Sequence, residues 1–217
     1  MKNISALLDT NVRLSVHTHS WAYTRRSEHR GGRFVTWIDE TPVPRILRGQ
    51  TPEQCKAIYE SLGVIAGMSR RGLVTLYESD ETLAEFLNFR PAGFGLGEFD
   101  VFSGIKIGHA RAPIARGFTI DASYTPNGAR KAWHAFLAQI HHPRFLKFLK
   151  RTGGAHAADL YHVWEAEYNG IDAFVTLDVT FVNAVTKPKP LETLVKVCTP
   201  AEFISWMPTK ISAGTRT

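Results

Sequence analysis

The stretch from Ala155 to Val185 constrains this chain more than any other, because it holds a helix, a turn, a buried strand and an acid in immediate succession. Leu160, Val163, Trp164 and Ala166 recur at helical spacing, which predicts a helix over about Ala157 to Tyr168. Asn169-Gly170 supplies the residues that a helix C-terminus favours. Ala173 to Leu177 is a short, mostly apolar run with Val and Thr, the pattern of a strand covered on both faces. Asp178 ends it. Taken alone, Asp178 reads as the N-cap of the next segment, Thr180 to Val185. A carboxylate just past the C-terminal end of such a strand also stands where open α/β sheets place their ligands.

The amino end repeats the pattern. Ile4 to Leu8 is a compact apolar run, followed by Asp9-Thr10-Asn11. Two strands ending in Asp, with Asp159 in the first turns of a helix, give three carboxylates a reason to converge. Other local signals fill in the frame. Thr51-Pro52-Glu53-Gln54 is a capping box with Pro at the first helical position, and Cys55, Ile58, Tyr59, Leu62 and Ile65 follow as one apolar stripe. Leu73 to Tyr77 predicts a second core strand, and Ser79 caps the helix after it. Val195 to Thr199 predicts a last strand, with Thr199-Pro200-Ala201-Glu202 opening a final helix.

Four pieces in this order, LLDTNV, SDETLAEFL, HAADLYHVWEAEYNGIDAFVTLD and TPAEFISW, resemble the PIN-domain family of metal-dependent nucleases. The resemblance covers roughly residues 3–12, 73–89 and 155–207. It implies a three-layer α/β/α sandwich around a central, mainly parallel sheet. It implies a ribonuclease that hydrolyses phosphodiester bonds of single-stranded RNA with Mg²⁺ or Mn²⁺. The family's acidic quartet falls on Asp9, Glu85, Asp159 and Asp178, with Glu81 and Glu78 open as alternatives to Glu85. Asn11 and Thr176 match polar positions that orient the acids. Carboxylates suit such ions, and the ion lowers the pKa of a bound water and offsets charge on the phosphate.

The chain departs from the family in length: the gaps from Asp9 to Glu85 and from Glu85 to Asp159 are wide. The expectation is therefore one PIN-like domain over 1–217, with insertions at about 17–50 and 90–150. By the same resemblance the chain is the toxin of a type II toxin–antitoxin pair, with an antitoxin partner and a homodimeric state. The alternative is a catalytically inactive PIN-like module that binds RNA or another protein.

Lys plus Arg outnumber Asp plus Glu by 26 to 20, so gathering acids in one site leaves the remaining surface more basic, which suits a polyanion. In PRFLKFLKR, residues Phe145, Leu146, Phe148 and Leu149 form the apolar side of a helix. Arg144, Lys147, Lys150 and Arg151 lie opposite as a candidate phosphate contact. His17 to Arg33 interleaves basic residues with Trp21 and Tyr23, and reads equally as a solvated loop or a nucleic-acid contact. Phe34 to Ile38 predicts a short added strand, Asn127 to Ile140 a helix, and 105–126 loops or short strands. Other chemistry is excluded by spacing. GFGLGEF lacks the order of a nucleotide loop. His17-Thr18-His19 lacks the further histidines of a barrel hydrolase, and His141-His142 point apart. Cys55 and Cys198 are too far apart in sequence for a zinc pattern and imply reduced thiols, hence a cytoplasmic protein. The first apolar run is too short for a signal peptide or a membrane span.

Overall fold

A computed structural model describes residues 3–16, 18–30, 33–47, 49–82, 100–116, 126–187 and 190–214. Along the chain these form β1 (Ile4–Leu8), α1 (Thr10–Leu14), β2 (His19–Arg30), β3 (Arg33–Pro44), α2 (Pro52–Arg70), β4 (Val74–Ser79) and β5 (Gly108–Ala110). There follow α3 (Pro126–Ala138), α4 (Pro143–Arg151), α5 (Ala157–Tyr168), β6 (Ala173–Val175), α6 (Val179–Thr186), β7 (Lys196–Cys198) and α7 (Pro200–Gly214).

Five strands make one parallel sheet in the order β5-β4-β1-β6-β7. Successive side chains of a strand point to opposite faces, and both faces are apolar here. Leu7, Phe174 and Val197 face a core that includes Trp133 of α3, Phe145 and Phe148 of α4, Leu160 and Trp164 of α5, and Phe181 of α6. Ala6, Leu8, Leu76, Val175 and Cys198 face the opposite core, with Val12 of α1, Leu62 and Ile65 of α2, and Phe203 of α7. The result is a three-layer α/β/α sandwich. Burial of the Cys198 thiol pushes its pKa up to about 12, so it stays protonated inside this core. No helix among the described residues is long and apolar enough to cross a membrane.

Local signals place the element ends. The Thr51 hydroxyl accepts from the Gln54 amide while the Gln54 side chain accepts from the Thr51 amide, and Thr199 and Glu202 repeat the exchange at α7. Gly170, at φ +63°, follows α5 in the left-handed conformation that its lack of a Cβ permits.

Some expectations shift. Strand β6 stops at Val175, not Leu177, so Thr176 is the first residue beyond the sheet rather than its penultimate member. Phe34 to Ile38 is the amino-terminal part of a longer strand, β3. β2 and β3 pair antiparallel from His19 opposite Pro44 to Arg30 opposite Arg33, a ribbon on the order of 40 Å long. The basic segment from His19 onward is therefore a strand and not a loop. The 105–126 region contributes the edge strand β5, where the Tyr77 ring lies so close to Gly108 that an added Cβ would sit 2.7 Å from it. Leu146, expected on the apolar side of α4, is 42% exposed. Most of the helix predicted after Ser79 lies outside the described residues, as does most of the glycine-rich 90–104 segment.

Candidate metal centre

The site grows from the ends of two neighbouring strands. Leu8 pairs with Val175, and the Asp9 amide donates to the Val175 carbonyl at 3.0 Å, so the chain is still in register where both strands stop. This sets Asp9 beside Thr176. Asp9 is only 5% exposed. One of its oxygens accepts from the Thr10 amide at 2.7 Å, which caps α1, and the other accepts from the Thr176 hydroxyl at 2.6 Å. The same hydroxyl oxygen accepts from Asn11 Nδ2 at 3.1 Å and from the Asp178 amide at 3.0 Å. Asn11 Oδ1 accepts in turn from the Leu177 amide at 3.0 Å. Asn11 and Thr176 thus hold the two strand ends together and fix one oxygen of Asp9.

Asp178 is the N-cap of α6, with Oδ1 accepting from the Phe181 amide at 2.9 Å. Asp159 stands in the first turn of α5, and His156 is that helix's N-cap residue without making a side-chain cap. One ligand atom each from His156, Asp159 and Asp178 lie within 4.8 Å of one another, and all three residues are half-buried. His156 Nδ1 is 3.5 Å from an Asp159 oxygen, and its ring leans on Phe181 with centroids 5.4 Å apart. His156 is also the one non-glycine residue with positive φ among those described, at φ 58° and ψ 33°. An L-residue there costs roughly 1–2 kcal/mol. Two carboxylates and an imidazole converging from two helix starts can hold a metal ion.

The predicted quartet is therefore brought together in part. Asp159 and Asp178 share the cluster, and Asp9 connects to it through Thr176 and the Asp178 amide. Glu85 lies outside the described residues. Its two alternatives each face an arginine. Glu78 is 3.2 Å from Arg13, and Glu81, 3% exposed, takes the Arg116 Nε at 2.8 and 2.7 Å on its two oxygens. Burial raises the Glu81 pKa, against the opposing charge of Arg116. Sequence reasoning missed His156. The signal was present as His-x-x-Asp over the first turn of a helix, where residues three apart share a face.

Deeper on α5 is a separate polar group. His162 Nδ1 lies 3.1 Å from Glu165 Oε2, and both side chains are about fully enclosed, at 1% and 0% exposure. The His162 ring stacks on Phe174 at 6.0 Å. The Tyr161 hydroxyl donates to the Ile114 carbonyl at 3.0 Å, and burial followed by the nearby Glu165 and Glu81 raises its pKa. The basic side of α4 is partly spent within the fold. Arg144 grips both oxygens of Glu167 at 2.7 and 2.6 Å and also the Glu192 carbonyl, while Lys147 pairs with the Glu192 carboxylate at 2.5 Å. Lys150 is exposed and Arg151 half-buried.

Asp178 also lines a hollow of about 290 Å³ between α1 and α2, together with Leu14, Leu47, Ile58 and Leu177 and the polar Asn11, Ser15 and Gln50. It adjoins a second hollow of about 260 Å³ that extends toward α7, with Gln50, Ile58 and Leu177 common to both. Compared with known proteins, the chain matches no family model, no curated protein and no solved structure.

Proposed function

We propose that this chain is a divalent-metal-dependent ribonuclease of PIN type that hydrolyses single-stranded RNA. The observation that carries the reading is the meeting of His156, Asp159 and Asp178 beyond the C-terminal end of the parallel sheet, with Asp9 tied to Asp178 through Thr176. A metal bound there supplies an activated water and offsets charge on the phosphate. Everything else falls to the chain. His156, Asp159 and Asp178 are the ligands. Thr176 and Asn11 keep Asp9 and Asp178 at a fixed separation, the role that hydrogen-bonding partners of ligands commonly play. Glu85 remains the fourth acid by resemblance.

Of the two ions, we favour Mn²⁺ over Mg²⁺. Magnesium takes oxygen donors almost exclusively, whereas an imidazole in the set suits a later first-row ion. The toxin role, an antitoxin partner and a homodimer accompany this reading through the family resemblance, and a cytoplasmic setting accompanies it through the free, buried thiols of Cys55 and Cys198.

The competing reading is an inactive RNA-binding or protein-interaction module. One observation favours it: Asp9 and Asp178 are both helix caps, and capping alone accounts for an Asp at each place. Incubating the protein with single-stranded and structured RNA, with Mn²⁺ or with EDTA, separates the two. Mn²⁺-dependent cleavage of the single strand, lost in Asp178→Asn, is the expected result. Binding without cleavage selects the module.

A further inference from the structure

The geometry points to the paired hollow beside Asp178 as a subsite for one unpaired nucleobase of the RNA strand, with Gln50 as the residue that reads its edge. The inference rests on the ribonuclease reading and adds where the strand lies. The hollow shares Asp178 with the metal group, so a phosphodiester held at the metal has its neighbouring nucleoside within reach of the opening. Among the described residues its apolar lining comes from Leu14, Leu47, Ile58 and Leu177, beside the polar Asn11, Ser15, Gln50 and Asp178, and apolar lining of this kind suits contact with a flat aromatic ring. Its volume, about 290 Å³ with about 260 Å³ adjoining, sits toward the small end of ligand pockets and does not admit a duplex. Bases of a duplex are stacked and paired inside it, so only a splayed base can enter.

The polar groups at the rim divide clearly. Asn11 is committed on both of its side-chain atoms, to Thr176 and to the Leu177 amide. The Ser15 hydroxyl donates to the Asn11 carbonyl. Gln54 serves the α2 capping box. Gln50 lines both hollows, is half-buried, and its side-chain amide makes no hydrogen bond among the described residues. Its backbone is fixed by donation to the Leu47 carbonyl at 3.0 Å. A side-chain amide offers a donor and an acceptor side by side, the complement of adjacent acceptor and donor atoms on a base such as adenine.

The test is calorimetric binding of adenosine 5′-monophosphate, uridine 5′-monophosphate and ribose 5-phosphate, with Mn²⁺, to the wild type, Gln50→Leu and Gln50→Trp. The nucleotides are expected to bind at least about fivefold more tightly than the sugar phosphate, as ring stacking provides. Gln50→Trp fills the hollow and should erase that advantage. Gln50→Leu keeps the volume and should keep the ring advantage while narrowing the difference between adenine and uracil. Melting without metal checks that each variant is folded, and the Mn²⁺-induced rise in Tm should match in all three. Equal binding of nucleotide and sugar phosphate by the wild type overturns the subsite, as does a ring advantage that survives Gln50→Trp. Ring-dependent binding with no Mn²⁺ effect on Tm upholds the subsite and removes the metal reading instead.

Discussion

Replacing Thr176 by Val tests the join between the two strand ends with little change of shape. Thr176 is fully buried, and its hydroxyl is the single atom through which Asp9, Asn11 and the Asp178 amide meet. Removing it deletes a hydrogen bond to a carboxylate, a loss of roughly 1.5–3 kcal/mol. It also strands the Asp178 amide, at roughly 1 kcal/mol because that residue is half-buried and water reaches it. Asn11 is half-exposed and can turn its amide to solvent at almost no cost. Against this, valine buries one more apolar group, a gain of about 0.8 kcal/mol. The net expectation is a loss of about 2–3 kcal/mol.

Urea unfolding without metal measures that loss, and the same titration with Mn²⁺ measures the site. Groups that orient metal ligands typically contribute about 10–100-fold in affinity. Thr176→Val should lower Mn²⁺ affinity by that amount, and Thr176→Ser should retain it, since serine keeps the hydroxyl. A loss under about 1 kcal/mol with unchanged Mn²⁺ affinity would show that the hydroxyl joins nothing of consequence, and the coupling between Asp9 and the cluster would be refuted.

Other perturbations read other parts of the molecule. His156→Gly removes the imidazole and relieves an L-residue from φ 58°, so apo stability should hold or rise by up to about 1 kcal/mol while the Mn²⁺-induced Tm shift disappears; thermal melts with and without metal check both. Arg116→Ala leaves the Glu81 carboxylate enclosed without its guanidinium, and should cost about 3–5 kcal/mol at neutral pH by urea unfolding. Because burial already raises the Glu81 pKa, that cost should shrink as pH falls and the carboxyl takes up a proton. Glu167 has the opposite sign. Burial pushes its pKa up, but the hydrogen bonds from Arg144 and Thr193 outweigh that and hold it below its ordinary 4.5. Its stabilisation is present above 4.5 and is lost as pH falls through the lowered value, so Glu167→Gln should flatten the acid side of the stability profile.

What was legible in the sequence is what neighbours in the chain decide. Ile4–Leu8 and Ala157–Tyr168 carry their own period and their own stops, and both appear in the structure with the expected bounds. The two capping boxes need only residues three apart. Of the ribbon, Phe34 to Ile38 carries a strand pattern, whereas in His19–Arg30 the basic and polar residues after Trp21 and Tyr23 leave no sustained apolar face to tell a strand from a solvated loop. Gly31-Gly32 between the two runs is the hairpin signal that the sequence does carry. Strand β5 is three residues long and exists only through its pairing with β4, which no local pattern announces. The ion pairs that occupy Arg144 and Lys147 join residues 23 and 45 positions apart, so spacing on α4 gave no sign of them. His156 acquires its place from the turn before α5, at φ 58°, and from the distant Asp178; neither is visible in a string of letters.

Capping and metal holding are compatible at Asp178, and the substitution chosen decides which is being measured. A carboxylate has two oxygens. Oδ1 accepts the Phe181 amide, while Oδ2 accepts no hydrogen bond among the described residues. Asparagine caps a helix about as well as aspartate, so Asp178→Asn preserves the start of α6 and removes only the charge. Alanine removes both, at about 1 kcal/mol for the cap. If the residue is a cap alone, Asp178→Asn should behave as the wild type in every assay. If it is a ligand, Asp178→Asn should leave apo unfolding within about 0.5 kcal/mol of the wild type while the Mn²⁺-induced rise in Tm is lost. Two carboxylates held within 4.8 Å of a third ligand repel when no ion lies between them, so a small gain in apo stability is the expected direction. An Asp178→Asn protein that keeps its Mn²⁺ shift would reduce the acid to a helix cap and leave His156 and Asp159 as a pair too small to hold a metal.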